Sequence, residues 1–180
     1  MNSVGGDLVI RINYALNSLT GLEGLSSIGG NLYISDNLAL TTLTGLEGLT
    51  SIGGGLSIHG NESLCDCSVQ SICDYLLFPA GSVEILNNAN GCNNPPEIAI
   101  ACGFQLPCLA YGHYILTSQE DIENFQTNYP GCTELEGNLI IYDLNGGNIT
   151  NLNGLSVLTS IGGNLEIEEN ESLIGLEGLE

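Results

Sequence analysis

The stretch Ile28-Gly-Gly-Asn-Leu-Tyr-Ile34 returns as Ile52-Gly-Gly-Gly-Leu-Ser-Ile58 and again as Ile161-Gly-Gly-Asn-Leu-Glu-Ile167, so the chain contains an internal repeat. The step is 24 residues from Val4 to Ile28 and the same from Ile28 to Ile52, a period typical of leucine-rich repeats. The apolar residues recur at fixed places within each period, and no single turn of chain can bury them alone. The sequence therefore predicts a solenoid of stacked coils.

Each predicted coil contains a short strand and several tight corners. Leu32-Tyr-Ile34 alternates as a strand with one buried face does, whereas Leu43-Thr-Gly-Leu46-Glu-Gly-Leu49 spaces its leucines three apart with glycines between them. The second pattern suits bends instead of a continuous helix. The glycine pairs 29–30 and 53–54 are expected to supply positive φ angles and to let stacked backbones approach closely.

The charge balance excludes several classes of function. The chain carries one Lys or Arg against 21 Asp and Glu, a formal net charge of −20 at pH 7, and Arg11 is its only cationic side chain of that kind. Nucleic acid and anionic membranes are therefore not expected as partners, since both need a basic surface. A solvated acidic surface is the favoured interpretation, and cationic partners or diffuse divalent-cation binding stay open.

The cysteines indicate an oxidising compartment. All seven lie between Leu64 and Leu135, outside the regular coils. They are Cys65, Cys67, Cys73, Cys92, Cys102, Cys108 and Cys132. Such clustering in loop-rich segments predicts disulfide-stapled caps and an extracellular location, secreted or at the cell surface. Cys108 and Cys132 flank a predicted helix and are expected to pair, while the odd count leaves one cysteine without an intramolecular partner.

The chain is predicted to hold two partial modules. Residues 1–103 are expected to form the last coils and the Cys-rich closing cap of one array, and residues 104–180 the opening cap and first coils of a second. Val4 already stands in mid-repeat and Leu176-Glu-Gly-Leu179 stops in mid-coil, so a fragment of a longer chain is expected. Adjoining coils would then cover both ends, and a signal peptide would lie upstream of Met1.

The caps carry helix signals. In the closing cap, apolar residues at helical spacing predict a helix over 69–76, with Asp66 or Ser68 as its N-cap and Pro79 ending it. A strand is expected at 83–85, and a second helix from Asn94, with Pro95 in its first turn, towards residue 102. In the opening cap, the capping box 117–120 predicts one helix that includes Phe125 and Tyr129 and stops at 130–131.

At this point the residues resemble a known family. Cys108, the helix 118–125 and Cys132-Thr-Glu-Leu-Glu-Gly-Asn-Leu-Ile-Ile141 are similar to the start of a receptor L domain, the family that includes the ligand-binding L domains of insulin and epidermal growth factor receptors. The repeated segments rich in leucine and glycine are more similar to tandem L-domain-like proteins of bacterial surfaces, whose closing cap resembles residues 71–102. The resemblance implies a mainly β, right-handed β-helix of leucine-rich-repeat character with short capping helices, an extracellular location and a binding role.

A further likeness concerns the closing cap alone. Cys65-Asp-Cys67 is similar to the Cys-x-Cys of leucine-rich-repeat C-terminal caps. That likeness implies that Cys65 and Cys67 pair with Cys92 and Cys102, which would leave Cys73 odd.

Residues that alternate with the buried ones in each strand form an outward sheet face, and this face is the candidate binding surface. Its members are Val9, Arg11, Tyr33, Ser35, Ser57 and His59 in the first module, and Ile140, Tyr142, Glu166 and Glu168 in the second. The apolar and aromatic members have no expected core role, which favours recognition of a partner. Ordinary cross-strand packing between coils is the structural alternative.

Other candidate sites are weaker. His59 with the closing-cap cysteines fits no standard zinc spacing, so disulfides are favoured over a metal. His113, with Tyr111 and Tyr114 nearby, is expected to pack in the opening cap. The segment 143–148 matches half a calcium loop and is interpreted as a wide corner, and the acidic residues 168–171 leave weak divalent-cation binding as an alternative.

The sequence thus predicts a non-catalytic extracellular recognition or adhesion module that binds a protein or glycan through the outward face of the sheet, with no cofactor. No nucleophile stands in a recognisable catalytic motif, which argues against an enzyme. The alternative is a structural spacer or stalk within a larger surface protein, with weak divalent-cation binding.

Overall fold

A computed structural model of the chain describes residues 1–106, 108–109, 112–144 and 146–180. The chain divides into two compact units, Met1–Phe104 and Gln105–Glu180. The sequence placed the boundary between residues 103 and 104. Tyr111, named above beside His113, and Asn145, within the predicted wide corner, lie outside the described residues.

Unit 1 contains two parallel sheets and two helices. Its strands are β1 (Ser3–Val4), β2 (Leu8–Arg11), β3 (Ser27–Ile28), β4 (Leu32–Ser35), β5 (Ser51–Ile52), β6 (Leu56–His59) and β7 (Val83–Leu86). Its helices are α1 (Gln70–Leu77) and α2 (Pro95–Ala101). One sheet has the order β1-β3-β5, and the other has the order β2-β4-β6-β7. Leu8 pairs with Leu32, and Leu32 pairs with Leu56, so equivalent residues of successive periods lie side by side.

Unit 2 repeats this arrangement with fewer strands. Its strands are β8 (Tyr114–Leu116), β9 (Glu134–Leu135), β10 (Leu139–Tyr142), β11 (Ser160–Ile161) and β12 (Leu165–Glu168). Its helices are α3 (Gln119–Glu123) and α4 (Phe125–Asn128), and a single 3₁₀ turn spans Asn153–Leu155. The sheets have the orders β12-β10-β8 and β11-β9, again with parallel pairing.

We call each segment of chain that runs from one Leu-x-Ile strand to the next a layer. The core of each unit lies between successive layers. In the inner layers of unit 1 the leucines and isoleucines at the repeated positions are buried. They include Leu32, Ile34, Leu40, Leu43, Leu46, Leu56 and Ile58. The turns between strands close through bonds over three residues, such as Leu40 N–H to Asn37 O at 2.9 Å and Leu49 N–H to Leu46 O at 3.0 Å. Leucines three apart therefore all face inward.

The predicted fold class is wrong. The chain is a small mixed α/β fold with 15% helix and 22% strand in several short parallel sheets, and the described residues form no closed solenoid or β-helix. The physical reason lies in the corners and the caps. The strands of each layer are two to four residues long, and the leucine-glycine stretches form turns without strand pairing. Corners such as residues 29–31 separate β3 from β4, which belong to different sheets, and helices α1 to α4 occupy the disulfide-bonded caps.

The role predicted for the paired glycines is half correct. Positive φ angles occur at glycines such as Gly21, Gly45 and Gly178, not at residues 29, 30, 53 or 54. The close approach of backbones is confirmed, because a Cβ atom at Gly29 would lie 2.4 Å from the Gly5 carbonyl oxygen, and one at Gly53 would lie 2.5 Å from that of Gly29. Successive layers are thus too near for any side chain at these positions.

The closing-cap elements follow the sequence with one correction. Strand β7 and helix α2 lie where they were predicted, and the Asn94 side chain caps α2 by accepting a hydrogen bond from Glu97 N–H at 2.9 Å. Helix α1 begins one residue later than predicted, and its N-cap is Val69, without a side-chain bond. The Asp66 carboxylate instead accepts hydrogen bonds from the backbone and hydroxyl of Ser68, which fixes the turn before the helix.

The opening cap has two short helices where one was predicted. Helix α3 ends at Glu123, because the next residue, Asn124, has a φ of −90° and a ψ of 5° that leave the helical region, and α4 begins at Phe125. The cap lies one residue further on than the predicted box, because Ser118 Oγ accepts from Asp121 N–H at 3.1 Å and donates to the Asp121 carboxylate at 2.8 Å. Phe125 and Tyr129 are nevertheless buried, as the pattern indicated.

Candidate functional site

The outer face of unit 1 consists of two rows of side chains on the four-stranded sheet. Parallel register places Val9, Tyr33, Ser57 and Glu84 in one row, and Arg11, Ser35, His59 and Leu86 in the next. The six residues that the sequence assigned to this face are therefore brought together. The alternation of each strand holds them there, since the intervening leucines and isoleucines are anchored in the core.

The outer face of unit 1 has a shallow trough at its centre. Ser35 and Ser57 are buried although they point away from the core, because taller side chains flank them. Ser57 lies between Tyr33 and Glu84, and its hydroxyl donates to the Glu84 carboxylate at 2.8 Å. Val9 is 52% exposed and Tyr33 37% exposed, so the rim of the trough is accessible to a partner.

Two members of this face, Glu84 and Leu86, were not named from the sequence. They come from β7, which lies after the predicted helix of the closing cap and outside the regular period. The signal was present, because the strand predicted at 83–85 puts the residue between Val83 and Ile85 on the outward side. Glu84 adds a carboxylate to a row that otherwise holds Val9, Tyr33 and Ser57.

Unit 2 carries a smaller outer face. Ile140 pairs in register with Ile115 and Glu166, and Tyr142 pairs with Glu168. Ile140 and Tyr142 are half-buried, whereas both glutamates are exposed. The neighbouring strands thus partly cover the two larger side chains, as expected of cross-strand packing.

A ladder of asparagines fixes the ends of the sheet strands in unit 1, and the sequence interpretation missed it. Asn37 and Asn61 are fully buried. Asn37 Nδ2 donates to Ile10 O at 2.9 Å and to Ser35 O at 3.1 Å, and its backbone N–H donates to Asn61 Oδ1 at 3.0 Å. Asn61 makes the same bonds one layer on, to Ile34 O, to His59 O and from its backbone to Asn88 Oδ1.

The signal for this ladder was the recurrence of asparagine at the period itself, at residues 13, 37 and 61. Buried amides that satisfy both donors and acceptors hold the backbone in one arrangement. The side chains of the outer face therefore project from strands whose ends are held in place by these asparagine hydrogen bonds.

Three disulfides lie within the chain. They join Cys67 to Cys92, Cys73 to Cys102 and Cys108 to Cys132. The last is the pair expected from the sequence. The pairing implied by the Cys-x-Cys likeness is wrong in one half, because Cys73 is bonded and the exposed Cys65 is the free cysteine. Three intramolecular disulfides fit a secreted or extracellular protein.

The zinc and calcium sites considered in the sequence analysis are not supported by the side-chain geometry. Four closing-cap cysteines are consumed in disulfides, and His59 lies in the sheet. Among the described residues, no three His, Cys, Asp or Glu side chains are grouped to hold a metal ion. Asp143 Oδ2 instead accepts the backbone N–H groups of Gly147 at 2.8 Å and Ile149 at 3.0 Å, which organises the corner.

Buried aromatic rings support the opening cap. Tyr114 packs edge-on against Tyr129 with ring centroids 5.0 Å apart, and Phe125 lies 5.3 Å from Tyr129. Burial raises the pKa of Tyr114 to about 12, although its hydroxyl accepts a hydrogen bond from Leu109 N–H at 2.8 Å. Burial also raises the pKa of Tyr129. Both hydroxyls therefore stay protonated at neutral pH and serve packing. His113, expected to pack here, is half-buried.

A small cavity of about 260 Å³ lies beside α1 and β5. Ser71, Asp74, Tyr75 and the strongly exposed Phe78 line one side of it. The Tyr75 hydroxyl is already engaged, because it donates to the Gly54 carbonyl oxygen and accepts from Gly81 N–H. The volume is below that of most sites for drug-sized ligands, so the outer face of unit 1 remains the stronger candidate.

Among the described residues no helix is both long and apolar enough to cross a lipid bilayer. No family model, curated protein or solved structure matches this chain.

Proposed function

We propose that this protein is a non-catalytic recognition module of the extracellular space or the cell surface, which binds a protein or a glycan through its outer sheet faces. The observation that carries the proposal is the trough on the outer face of unit 1. Exposed side chains of varied chemistry surround the buried hydroxyls of Ser35 and Ser57 on a backbone held by the asparagine ladder. Rigid presentation of this kind reduces the entropic cost of binding.

The chemistry of this face suits a polar partner. Tyr33 offers a partly exposed ring with a hydroxyl, and the Ser57–Glu84 pair offers acceptors for sugar hydroxyls or peptide N–H groups. Arg11, exposed at the end of β2, adds a donor to one side. Because the rest of the chain is acidic, partners with a positive or neutral surface are favoured over anionic ones.

The proposal includes membership of the receptor L-domain-like proteins and export to the cell surface. The cysteine frame supports export, since six of the seven cysteines are joined in disulfides. The parallel in-register Leu-x-Ile strands support the family likeness.

The test is a binding screen against immobilised glycans and extracellular proteins, repeated with Tyr33→Ala. We expect the variant to lose affinity about tenfold, since an aromatic side chain at the centre of a binding face is a common hot spot. Tyr14→Ala is the matched control, because Tyr14 is 62% exposed but lies after β2, outside the two rows. Equal affinity of the two variants for a ligand found in the screen would contradict binding through this face.

A spacer or stalk is the second candidate. The observation that favours it is the uniformity of the layers, which repeat the same asparagine bonds and the same glycine contacts. A spacer needs regular stacking and no outer-face chemistry. Replacing Arg11, Tyr33 and His59 together by threonine would then leave both the melting temperature and the binding screen unchanged.

A further inference from the structure

The cavity beside α1 and β5, which we call the α1 cavity, is built on one face of that helix. Ser71, Asp74 and Tyr75 line it, together with Phe78, the residue that follows the helix. Their spacing of three, four and seven residues places them on the same side of α1. All the lining residues lie between residues 49 and 78, so the cavity is formed within unit 1.

The hydroxyl of Ser71 is an unused hydrogen-bonding group in the wall of this cavity. Ser71 is 8% exposed, and its Oγ atom is buried without a hydrogen-bond partner among the described residues. Buried polar atoms of folded proteins are nearly always paired, so an unpaired one needs a reason. A polar group of a ligand in the cavity would pair this hydroxyl.

Asp74 adds a negative charge one helical turn from Ser71. Its Oδ1 atom accepts from Gln70 Nε2 at 2.7 Å, whereas its Oδ2 atom has no hydrogen-bond partner among the described residues. Side chains three residues apart on a helix have Cβ atoms about 5–6 Å apart, so one small group can reach both Ser71 and Asp74. The only Arg or Lys of the sequence, Arg11, lies on β2 and does not line the cavity.

Apolar side chains form much of the remaining wall. Leu49, Ile52 and Tyr75 line the cavity and are themselves buried. Phe78 also lines it, but this side chain is 83% exposed. An exposed aromatic ring contacts an aliphatic chain through its apolar surface and attracts a cation to its face. The cavity thus joins an apolar lining to one carboxylate and one unpaired hydroxyl.

We propose that the α1 cavity is a second binding site, beyond the outer sheet faces, and that it takes an alkylammonium group. This is the chemistry of a lysine side chain on a partner or of a free aliphatic amine. The ammonium donates to the Ser71 hydroxyl and the Asp74 carboxylate, while the methylene chain packs on Leu49, Ile52 and Phe78. A volume of about 260 Å³ suits one such chain and not a drug-sized ligand.

Charge and lining favour this ligand over a sugar. A sugar ring carries hydroxyls on every side, and those that face Leu49 and Ile52 would lose their hydrogen bonds to water without replacement. An alkylammonium group has its polar atoms at one end only. The formal net charge of −20 also attracts cations to the protein.

A titration with Nα-acetyl-L-lysine methylamide, followed by two-dimensional NMR of the backbone amides, is the first test. We expect saturable shifts confined to residues 49–52 and 70–78, with a dissociation constant on the order of 1 mM, because so small a ligand makes few contacts. Shifts on the outer face of unit 1, or changes across the acidic surface that do not saturate, would overturn the proposal.

Three further probes test the chemistry of the ligand. The norleucine derivative keeps the carbon chain without the ammonium, and methyl glucoside represents a sugar. Both should bind at least about tenfold more weakly than the lysine derivative, and equal or tighter binding of either would refute the alkylammonium assignment. n-Butylamine separates the two sources. Tighter binding of the lysine derivative assigns the site to a partner's lysine, tighter binding of n-butylamine assigns it to free amines, and failure of both would overturn the proposal.

Asp74→Asn tests the carboxylate with little change of shape. The variant should bind the lysine derivative about tenfold more weakly, because a charge-assisted hydrogen bond is lost. Glu62→Gln removes the same charge from an exposed residue outside the cavity and is the matched control. It should change the affinity less than about twofold. Equal effects of the two substitutions would show diffuse attraction to an acidic surface and would contradict a site at α1.

Ser71→Ala separates binding from folding. Loss of an unpaired buried hydroxyl should leave the melting temperature unchanged or raise it, because an unsatisfied polar group costs stability. The same variant should bind the lysine derivative roughly threefold to tenfold more weakly, since the ammonium loses an acceptor. A clear fall in melting temperature would mean that the hydroxyl is already paired, and unchanged affinity would mean that it does not meet the ligand. Either result would count against the proposed site.

Discussion

Asn37 shows what a single buried amide does in this protein. Its side chain donates to the carbonyl oxygens of Ile10 and Ser35 and accepts the backbone N–H of Asn13, so one residue closes strand ends in two layers. Asn37 itself is fully buried. A buried polar group is tolerated only when its hydrogen bonds are made, and here the repeat itself provides each partner.

Replacing Asn37 by alanine should therefore lower the free energy of unfolding by about 2–4 kcal/mol, because the buried groups that it satisfies lose their partners. Chemical denaturation followed by circular dichroism gives this value directly. Asn13→Ala is the matched control at the exposed end of the ladder, where water can replace the side chain, and should cost less than about 1 kcal/mol. Equal losses at the two positions would show that the ladder does not depend on burial.

The positions of some residues in the structure could be predicted from the sequence and those of others could not. The inward leucines could be predicted, because apolar periodicity depends on burial alone. The buried asparagines could not, because asparagine in a turn is ordinarily explained by local backbone bonds. The glycine pair at 29–30 was correctly assigned to close approach, but a φ angle cannot be read from glycine content. Glu84 was missed because its strand lies outside the regular period.

The strands and helices of this protein depend on their neighbours. Strands of two to four residues and helices of four to eight residues are too short to persist alone in water. Periodicity predicted β7 and α2 within one residue, since the strand pattern and the Asn-Pro start are local signals. The break between α3 and α4 and the separation of the sheets were not predicted, because both arise from tertiary packing.

The buried tyrosines that pack against α3 and α4 make the free energy of unfolding fall as the pH rises into the alkaline range. Burial raises the pKa of Tyr114 to about 12 in the folded chain, from the ordinary tyrosine pKa of about 10. The stabilising contribution is therefore fully present below pH 10 and is lost as the pH rises from about 10 to about 12. By linkage the loss amounts to about 2–3 kcal/mol for this group.

Denaturant unfolding between pH 9 and pH 12, combined with absorbance at 295 nm, measures both the loss and the tyrosines that ionise. Tyr114→Phe should flatten the dependence and cost about 1 kcal/mol below pH 10, because Leu109 N–H loses its acceptor. If all seven tyrosines ionise near pH 10 in the folded protein, the packing described for the opening cap is wrong.

Each of the two units is cross-linked by cysteines that lie outside its strands. Unit 1 has two disulfides in its closing cap and unit 2 has one across its opening cap. Each disulfide spans 24 to 29 residues, a loop length for which cross-linking commonly contributes about 2–4 kcal/mol. The caps thus cover one end of each set of layers.

Intact mass after alkylation without reductant should show one modified thiol on protein produced in an oxidising compartment, and peptide mapping should place it at Cys65. After reduction in denaturant all seven cysteines should react. Cys65→Ser is the control and should show no modification before reduction. Label at Cys73 in the unreduced protein would instead support the alternative pairing, with Cys65 bonded.

The close contact between layers has a consequence for how such a gene can change. The asparagine that closes one layer accepts from the layer before it and donates to the layer after it at the same 24-residue separation, and the glycine contacts repeat at that separation. If 24 residues are deleted or duplicated, each remaining layer still lies against a layer with equivalent residues at the same positions. The asparagine hydrogen bonds between layers can therefore form again at the new junction. Unequal recombination between these stretches can therefore lengthen or shorten the protein by whole periods.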